Sequence, residues 1–230
     1  MVPVSFAPSF EFCGLELRLV QGRALYWPRE AALLVADLHL EKASYFAGHG
    51  QMLPPYDSRE TLERLALAVR ETGARRVFCL GDNFHDAAGS GRLEPHAAGM
   101  LAALTRALDW VWITGNHDST RGTPVGTGVE QAEIGGLLLR HRASAGETRP
   151  ELSGHFHPRL TVMARGRRII RPCAVRSERR LILPAFGALT GGMDAGSPEI
   201  LSAMQPASTI NALASARGRI VEYPLWRAAG

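Results

Sequence analysis

Ala31-Ala32-Leu33-Leu34-Val35-Ala36-Asp37-Leu38-His39 is the stretch around which the rest of the chain is arranged. Its unbroken apolar run is typical of a strand buried on both faces, and the polar pair Asp37 and His39 follows directly. Later segments repeat this arrangement at the ends of further apolar runs. They are Gly81-Asp82, Gly115-Asn116-His117-Asp118, His141 and Gly154-His155-Phe156-His157. The sequence therefore predicts strands whose ends deliver Asp, Asn and His side chains to one place.

The first half of the chain alternates strand and helix patterns. Strands are predicted at 33–36, 76–80 and 110–114, with a helix at about 57–72, capped by Asp57 or Ser58, and another at about 94–108. This is the pattern of βαβ units, which need a mostly parallel sheet. Such sheets carry their ligands at the carboxyl ends of the strands, where the polar motifs fall.

Shorter and less regular patterns lie outside these units. A hairpin is predicted for 15–20 and 24–27, and Gly48, Gly50, Pro54 and Pro55 argue against a long helix in 41–57. The second half predicts a meander with a glycine-rich loop at 185–197. Its strands are expected at 129–134, 137–141, 152–154, 160–164, 167–172, 181–183 and 218–223.

Length and composition favour one globular domain over residues 1–230, because 46% of the residues are hydrophobic. The net charge of +4 is modest, and Lys42 is the only lysine. Three widely spaced cysteines argue against a disulfide framework and fit the cytoplasm. The first twelve residues do not have the pattern of a signal peptide, and no apolar run approaches the roughly 20 residues of a membrane span. We therefore expect a cytoplasmic protein with no membrane partner.

The polar set itself indicates a metal site. Transition metals accept mixed imidazole, carboxylate and amide ligands, whereas Mg²⁺ and Ca²⁺ prefer oxygen alone. We expect two divalent transition-metal ions, with manganese favoured and zinc or iron as alternatives. Two such ions, roughly 3.5 to 4 Å apart, clamp the attacking and leaving oxygens of an in-line displacement. The sequence thus predicts phosphoester hydrolysis, with a metal-bound hydroxide attacking phosphorus.

Taken together, the D-x-H, G-D, G-N-H-D, later His and G-H-x-H motifs resemble the calcineurin-like metallophosphoesterase superfamily. The resemblance implies an α/β sandwich with mixed central sheets flanked by helices. It also implies that His117 is a catalytic residue outside the ligand set, which protonates the leaving oxygen or stabilises the charged transition state, and that Asp118 orients it. One metal would be bound by Asp37, His39, Asp82 and His157, and the other by Asp82, Asn116, His141 and His155.

A narrower resemblance, to bacterial ligase-associated DNA damage response endonucleases of the PdeM type, rests on further segments. These are Asp37-Leu38-His39-Leu40-Glu41-Lys42, Leu53-Pro54-Pro55-Tyr56-Asp57, Gly81-Asp82-Asn83-Phe84-His85-Asp86 and the stretch from Pro184 to Gly192. It implies nuclease or phosphodiesterase chemistry on DNA in repair, beside a DNA ligase, a helicase and an exonuclease. The chain departs from the broader superfamily at His85, where many relatives have Asp.

Several alternatives stay open at this stage. His85, Lys42 and Phe84 are candidates for substrate contact or for loop packing, and the arginines from Arg165 to Arg180 form either a solvated face or a nucleic-acid track. The substrate could instead be a small nucleotide or a lipid-linked phosphoester. A catalytically weak scaffold for repair partners is the alternative from another class.

Overall fold

Two seven-stranded sheets dominate the computed structural model, which describes residues 7–118 and 126–228. The first sheet has the order β1-β2-β3-β4-β5-β6-β7. Its strands are β1 (Ser9–Phe12), β2 (Leu15–Val20), β3 (Ala24–Trp27), β4 (Ala32–Val35), β5 (Arg76–Leu80), β6 (Asp109–Ile113) and β7 (Thr127–Val129). Strands β4 to β7 run parallel, as the βαβ pattern predicts. The hairpin of β2 and β3 is also confirmed.

The second sheet comes from the later part of the chain. Its strands are β8 (Gln131–Ile134), β9 (Leu137–Arg140), β10 (Glu151–Ser153), β13 (Ala174–Arg176), β14 (Arg180–Ile182), β15 (Thr209–Ala216) and β16 (Arg219–Arg227). Their order is β16-β15-β13-β14-β10-β9-β8. The predicted meander is wrong, because β10 pairs in parallel with both β9 and β14. The remaining strands, β11 (Arg159–Ala164) and β12 (Arg167–Pro172), form a separate two-stranded hairpin.

The single strand predicted at 129–134 is also wrong. Residues 127–129 form β7 of the first sheet, whereas 131–134 form β8 of the second. Glu130 stands between them, at the point where the chain leaves one sheet and enters the other. The sequence pattern could not show this break, because the same pattern is expected of a strand in either sheet.

In the described part of the chain, four α-helices flank the sheets: α1 (Lys42–Gly48), α2 (Asp57–Thr72), α3 (Pro95–Ala107) and α4 (Pro198–Ala203). The two sheets share one apolar core, to which Leu34 and Phe78 contribute from the first and Leu139 and Leu152 from the second. The opposite face of the first sheet packs on α2 and α3, and that of the second on α4 and the hairpin. Mixed sheets flanked by helices confirm the predicted fold class. No helix in the described ranges is both long and apolar enough to cross a membrane.

Capping of α2 differs from the prediction. Asp57 and Ser58 lie inside the first turn, and neither caps that helix. The Asp57 carboxylate instead accepts a hydrogen bond from the N–H of Ala43 in α1, at 3.1 Å. The Ser58 hydroxyl bonds both the N–H and the carboxylate of Glu41. These buried hydrogen bonds hold α1 against the start of α2. Helix α1 was not predicted, because the glycines and prolines of 41–57 indicated an irregular segment.

Candidate metal centre

The candidate ligands lie at the carboxyl ends of strands from both sheets. They are Asp37 and His39 after β4, Asp82 after β5, Asn116 after β6, His141 after β9, and His155 and His157 after β10. Hydrogen bonds between the sheets fix this meeting point. The N–H of His155 donates to both Asp37 carboxylate oxygens at 3.0 Å, and His141 Nδ1 lies 2.9 Å from the carbonyl oxygen of Leu80. Residues more than a hundred positions apart thus converge on one site.

A first group consists of Asp37, His39, Asp82 and His157, each with one potential ligand atom within 4.8 Å of the others. The Nε2 atoms of His39 and His157 are 3.2 Å apart, and His39 Nε2 is 3.7 Å from Asp82 Oδ2. Ligand atoms bound to one ion at about 2.1 Å, at angles of about 90° to 110°, lie roughly 3.0 to 3.5 Å from each other. The first distance falls within this range and the second is about 0.2 Å longer, so small side-chain shifts would let this group hold a single cation.

A second group consists of Asp82, His141 and His155, again with ligand atoms within 4.8 Å of one another. His141 Nε2 is 3.0 Å from His155 Nδ1 and 3.4 Å from Asp82 Oδ1. The side-chain oxygen of Asn116 lies 3.0 Å from the same His141 nitrogen and supplies a fourth donor. Asp82 belongs to both groups, with one carboxylate oxygen towards each.

The protonation of the histidines suits metal binding. Burial, followed by the neighbouring His157 and His117, lowers the pKa of His39 to about 2, and burial also lowers the pKa of His155. Both rings are therefore neutral, which is the form that binds a metal ion. Since the Leu80 carbonyl can only accept, His141 carries its proton on Nδ1 and leaves Nε2 free. The donor set thus fits the divalent cations expected from the sequence.

The backbone around the candidate ligands is unusual. Five of the seven adopt a left-handed conformation that L-residues rarely take. They are Asp37 (φ 54°), His39 (φ 44°), Asp82 (φ 48°), His155 (φ 74°) and His157 (φ 48°). Each such residue costs roughly 1–2 kcal/mol relative to ordinary backbone. The surrounding sheets must hold these residues in place, and no sequence pattern pointed to this feature.

Two motif glycines are explained by close approach. A Cβ on Gly115 would overlap the backbone nitrogen and carboxylate of Asp82, and a Cβ on Gly81 would overlap the His141 ring. Gly81 also has φ +81°, which strains any other residue. The loops after β5 and β6 can therefore lie this close to the ligands only with glycine at both positions.

His117 lies beside the ligands, and its backbone N–H donates to Asp82 Oδ1 at 3.0 Å. Its ring Nδ1 is 2.7 Å from the carbonyl oxygen of His85, so that Nδ1 carries a proton and the ring is held in one orientation. The prediction that Asp118 orients His117 is wrong. The Asp118 carboxylate accepts bonds from the N–H groups of Asn83 and Gly115, among others, and so ties together the loops that follow β5 and β6. Burial raises the pKa of Asp118.

Rings from α1 border the site. His85 stacks on His117, with ring centroids 5.3 Å apart, and contacts Tyr45 and Phe46 at 4.8 and 5.5 Å. Burial, and then the nearby positive charge of Lys42, lowers the pKa of His85. Phe46 was not among the residues predicted from the sequence, because nothing in an irregular segment indicates which side of a short helix faces the candidate ligands.

Phe84 is only 6% exposed and packs near Trp112 in the core beneath α3. This leaves its ring little surface for stacking on a substrate, in agreement with the packing alternative.

The arginine-rich run does not form one surface. Arg180 is buried, donating to the buried Glu151 carboxylate at 2.8 Å, and Arg176 pairs with Glu222 at 3.1 Å. Arg179 is exposed and donates to the carbonyl oxygen of Thr148. A track that extends to Arg180 is therefore wrong, and the arginines of this run without a carboxylate partner among the described residues lie before Arg176 and at the exposed Arg179.

Comparison with known proteins assigns the fold and the site to a family. The calcineurin-like phosphoesterase family matches residues 32–162, more than half of the 230-residue chain. The chain belongs to the calcineurin-like phosphoesterases. This confirms the predicted enzyme class, a metal-dependent phosphoester hydrolase that uses divalent metal ions, and the matched range holds all the candidate ligands.

Two solved structures are similar to this calcineurin-like phosphoesterase. Pseudomonas putida nuclease MPE is 30% identical, with a TM-score of 0.71, over 95% of this chain and 100% of its own. The phosphoesterase Yfce from E. coli is 14% identical, with a TM-score of 0.39, over 84% of this chain and 98% of its own. A comparison with curated protein sequences gives no match.

Proposed function

We propose that this enzyme is a dinuclear phosphodiesterase that cleaves nucleic acid, with DNA as its principal substrate. The observation that carries the proposal is the place of Asp82, which is shared by two groups of potential ligands. A carboxylate with one oxygen towards each group is the arrangement that two neighbouring cations require. Bound there, two divalent ions would polarise a phosphoester and supply the nucleophile for its hydrolysis.

The residues of each group would divide between the ions. Asp37, His39, Asp82 and His157 would hold one ion, and Asp82, Asn116, His141 and His155 would hold the other. Manganese is favoured by this mixture of imidazole and oxygen donors, with zinc or iron as alternatives. The two aspartates offset only part of the charge of two divalent cations, which leaves an electropositive cleft suited to an anionic diester.

His117 would protonate the leaving oxygen. Its Nδ1 is committed to the His85 carbonyl, so Nε2 is the nitrogen left for proton transfer. Asp118 would act indirectly, by fixing the two loops that carry Asp82 and His117. His85 would border the bound substrate, because its ring stacks on that of His117. Lys42 would do the same, because it begins α1, the helix whose Tyr45 ring contacts His85.

A nucleic-acid substrate is favoured by the similarity to the Pseudomonas putida nuclease, which extends over all of that protein and 95% of this chain. DNA in particular is what the narrower sequence resemblance implies. A role in bacterial DNA repair, beside a ligase, a helicase and an exonuclease, is the context that the narrower sequence resemblance suggests. The same context would place the enzyme in the cytoplasm.

Purified enzyme loaded with manganese, zinc or iron should be assayed on a single-stranded DNA oligonucleotide, a small aryl phosphodiester and a nucleotide phosphomonoester. We expect hydrolysis of both diesters, with the higher kcat/KM on DNA. Asp82→Ala should abolish activity, whereas Asp109→Ala, at the exposed far end of β6, should not. Preferential hydrolysis of the monoester would overturn the diesterase proposal, and inactivity with every metal would favour the scaffold alternative.

A further inference from the structure

The hairpin of β11 and β12 stands apart from both sheets. It begins at Arg159, two residues after the candidate ligand His157, and returns to the second sheet at Cys173. Arg165 and Gly166 form its tight turn, with φ values of 50° and 72°. Its base packs on the core through Leu160, whereas all of 163–168 is exposed. At about 3.3 Å per residue, the hairpin is roughly 20 Å long from its base at Arg159 to its turn.

Charge along this hairpin has one sign. Residues 152–177 contain no Asp or Glu, and their arginines are Arg159, Arg165, Arg167, Arg168, Arg171 and Arg176. Among the described residues, Arg176 is the only one of these six in an ion pair with a carboxylate. By contrast, Arg140 and Arg180, on the neighbouring strands, both pair with the buried Glu151. The guanidinium groups of the hairpin are therefore free of protein carboxylates and able to bind an external anion.

The positive charge continues to the metal centre. Arg142 follows the candidate ligand His141 and lies over the ring of Phe156, 5.7 Å from its centroid. Phe156 itself stands between His155 and His157. Arg142 also has no carboxylate partner among the described residues. Arg142 thus adds an unpaired arginine beside the segment that carries His155 and His157, and that segment leads directly into the hairpin.

We propose that the β11–β12 hairpin is a nucleic-acid-binding arm, along which arginines hold the sugar-phosphate backbone of a strand whose scissile phosphate lies at the metal centre. The inference rests on the proposed function, since it names the surface that would hold that substrate. Arginine matches phosphate with paired N–H donors, and backbone contacts of this kind position a strand without reading its sequence. If these arginines only protected the strand edges, acidic or mixed charges would serve equally well. The hairpin contains no acidic residue, which favours binding of an anion.

The test compares two variants that lose the same charge. Arg167→Gln with Arg168→Gln removes two arginines from the exposed end of the hairpin. Arg29→Gln with Arg75→Gln removes two exposed arginines from the amino-terminal end of β4 and β5, opposite the metal centre. Binding of a fluorescent single-stranded oligonucleotide is measured by anisotropy in chelator, without cleavage, from about 50 to about 200 mM salt. Cleavage of the oligonucleotide and of an aryl phosphodiester is measured separately with manganese.

We expect the hairpin variant to bind about tenfold more weakly near physiological salt. The slope of log affinity against log salt should fall by about 1.4, since each lost single-strand phosphate contact removes about 0.7. The control variant should match the parent, and the aryl diester should be cleaved equally by all three proteins. Equal binding by both variants, or no binding by the parent, would overturn the arm. Binding by the arm without DNA cleavage would overturn the proposed function alone.

Discussion

Replacing His117 by alanine is the sharpest test of the site chemistry. Neither of the two groups that share Asp82 includes this side chain, although a third group of potential ligand atoms joins His117 to His39 and His85. The contact of His117 with Asp82 is made through its backbone N–H, which alanine retains. We therefore expect the variant to fold and to bind its full complement of metal, while losing the proton donor. Metal content is measured after gel filtration, beside the parent protein.

The expected loss depends on the leaving group. A positioned general acid contributes roughly 10²- to 10⁴-fold, or about 3–5 kcal/mol of transition-state free energy. A nucleoside alkoxide needs that proton, so the loss on DNA should fall in this range. A p-nitrophenolate leaves as a stable anion, so the aryl diester should lose much less. Because Nδ1 is bonded to the His85 carbonyl, the proton comes from Nε2.

The assay is kcat for the parent and for His117→Ala on both substrates, at the same metal loading. An equal loss of rate on the two diesters would refute the reasoning, because it would mean that His117 binds phosphate or supports the structure instead of delivering a proton. Loss of metal from the variant would place the side chain among the ligands.

Other features lead to separate expectations. Asp82→Ala should lower the metal content to less than one ion per chain by elemental analysis, because both ligand groups share this carboxylate, and full occupancy would contradict the shared role. Arg180→Met should lower the free energy of unfolding, measured in urea, by about 3–5 kcal/mol, because the buried Glu151 carboxylate then has one arginine partner fewer. A change below about 1 kcal/mol would show that the ion pair contributes little. A thiol reagent should modify only Cys13 in the folded protein and all three cysteines after unfolding. Cys79 and Cys173 are buried, and burial raises the pKa of Cys173 to about 12. Rapid labelling of a second thiol in the folded protein would contradict this expectation.

The convergence of the candidate ligands could be predicted from the sequence for a physical reason. Asp37, Asp82 and Asn116 follow apolar runs joined by helices, and parallel strands have their carboxyl ends at one edge. Those features are local in the sequence, so they can be inferred without coordinates. The predicted helices at 57–72 and 94–108 follow from the same local periodicity.

What the sequence could not give depends on contacts across the fold. Asp118 follows His117 directly, yet its carboxylate bonds the loops after β5 and β6, and the carbonyl of His85 orients the ring instead. Arg180 belongs to a run of arginines but is buried against Glu151, on another strand of the second sheet. A linear pattern shows neither which neighbour a side chain meets nor which face it occupies.

The left-handed backbone of His39, His155 and His157 has a consequence for laboratory evolution. Glycine at any of these positions would relieve conformational strain of roughly 1–2 kcal/mol while removing an imidazole from the centre. A selection for thermal stability alone would therefore enrich inactive variants, because the same substitutions at these three positions would raise stability and remove activity. Libraries designed to find thermostable variants of this enzyme should keep those positions unchanged and introduce stabilising substitutions elsewhere.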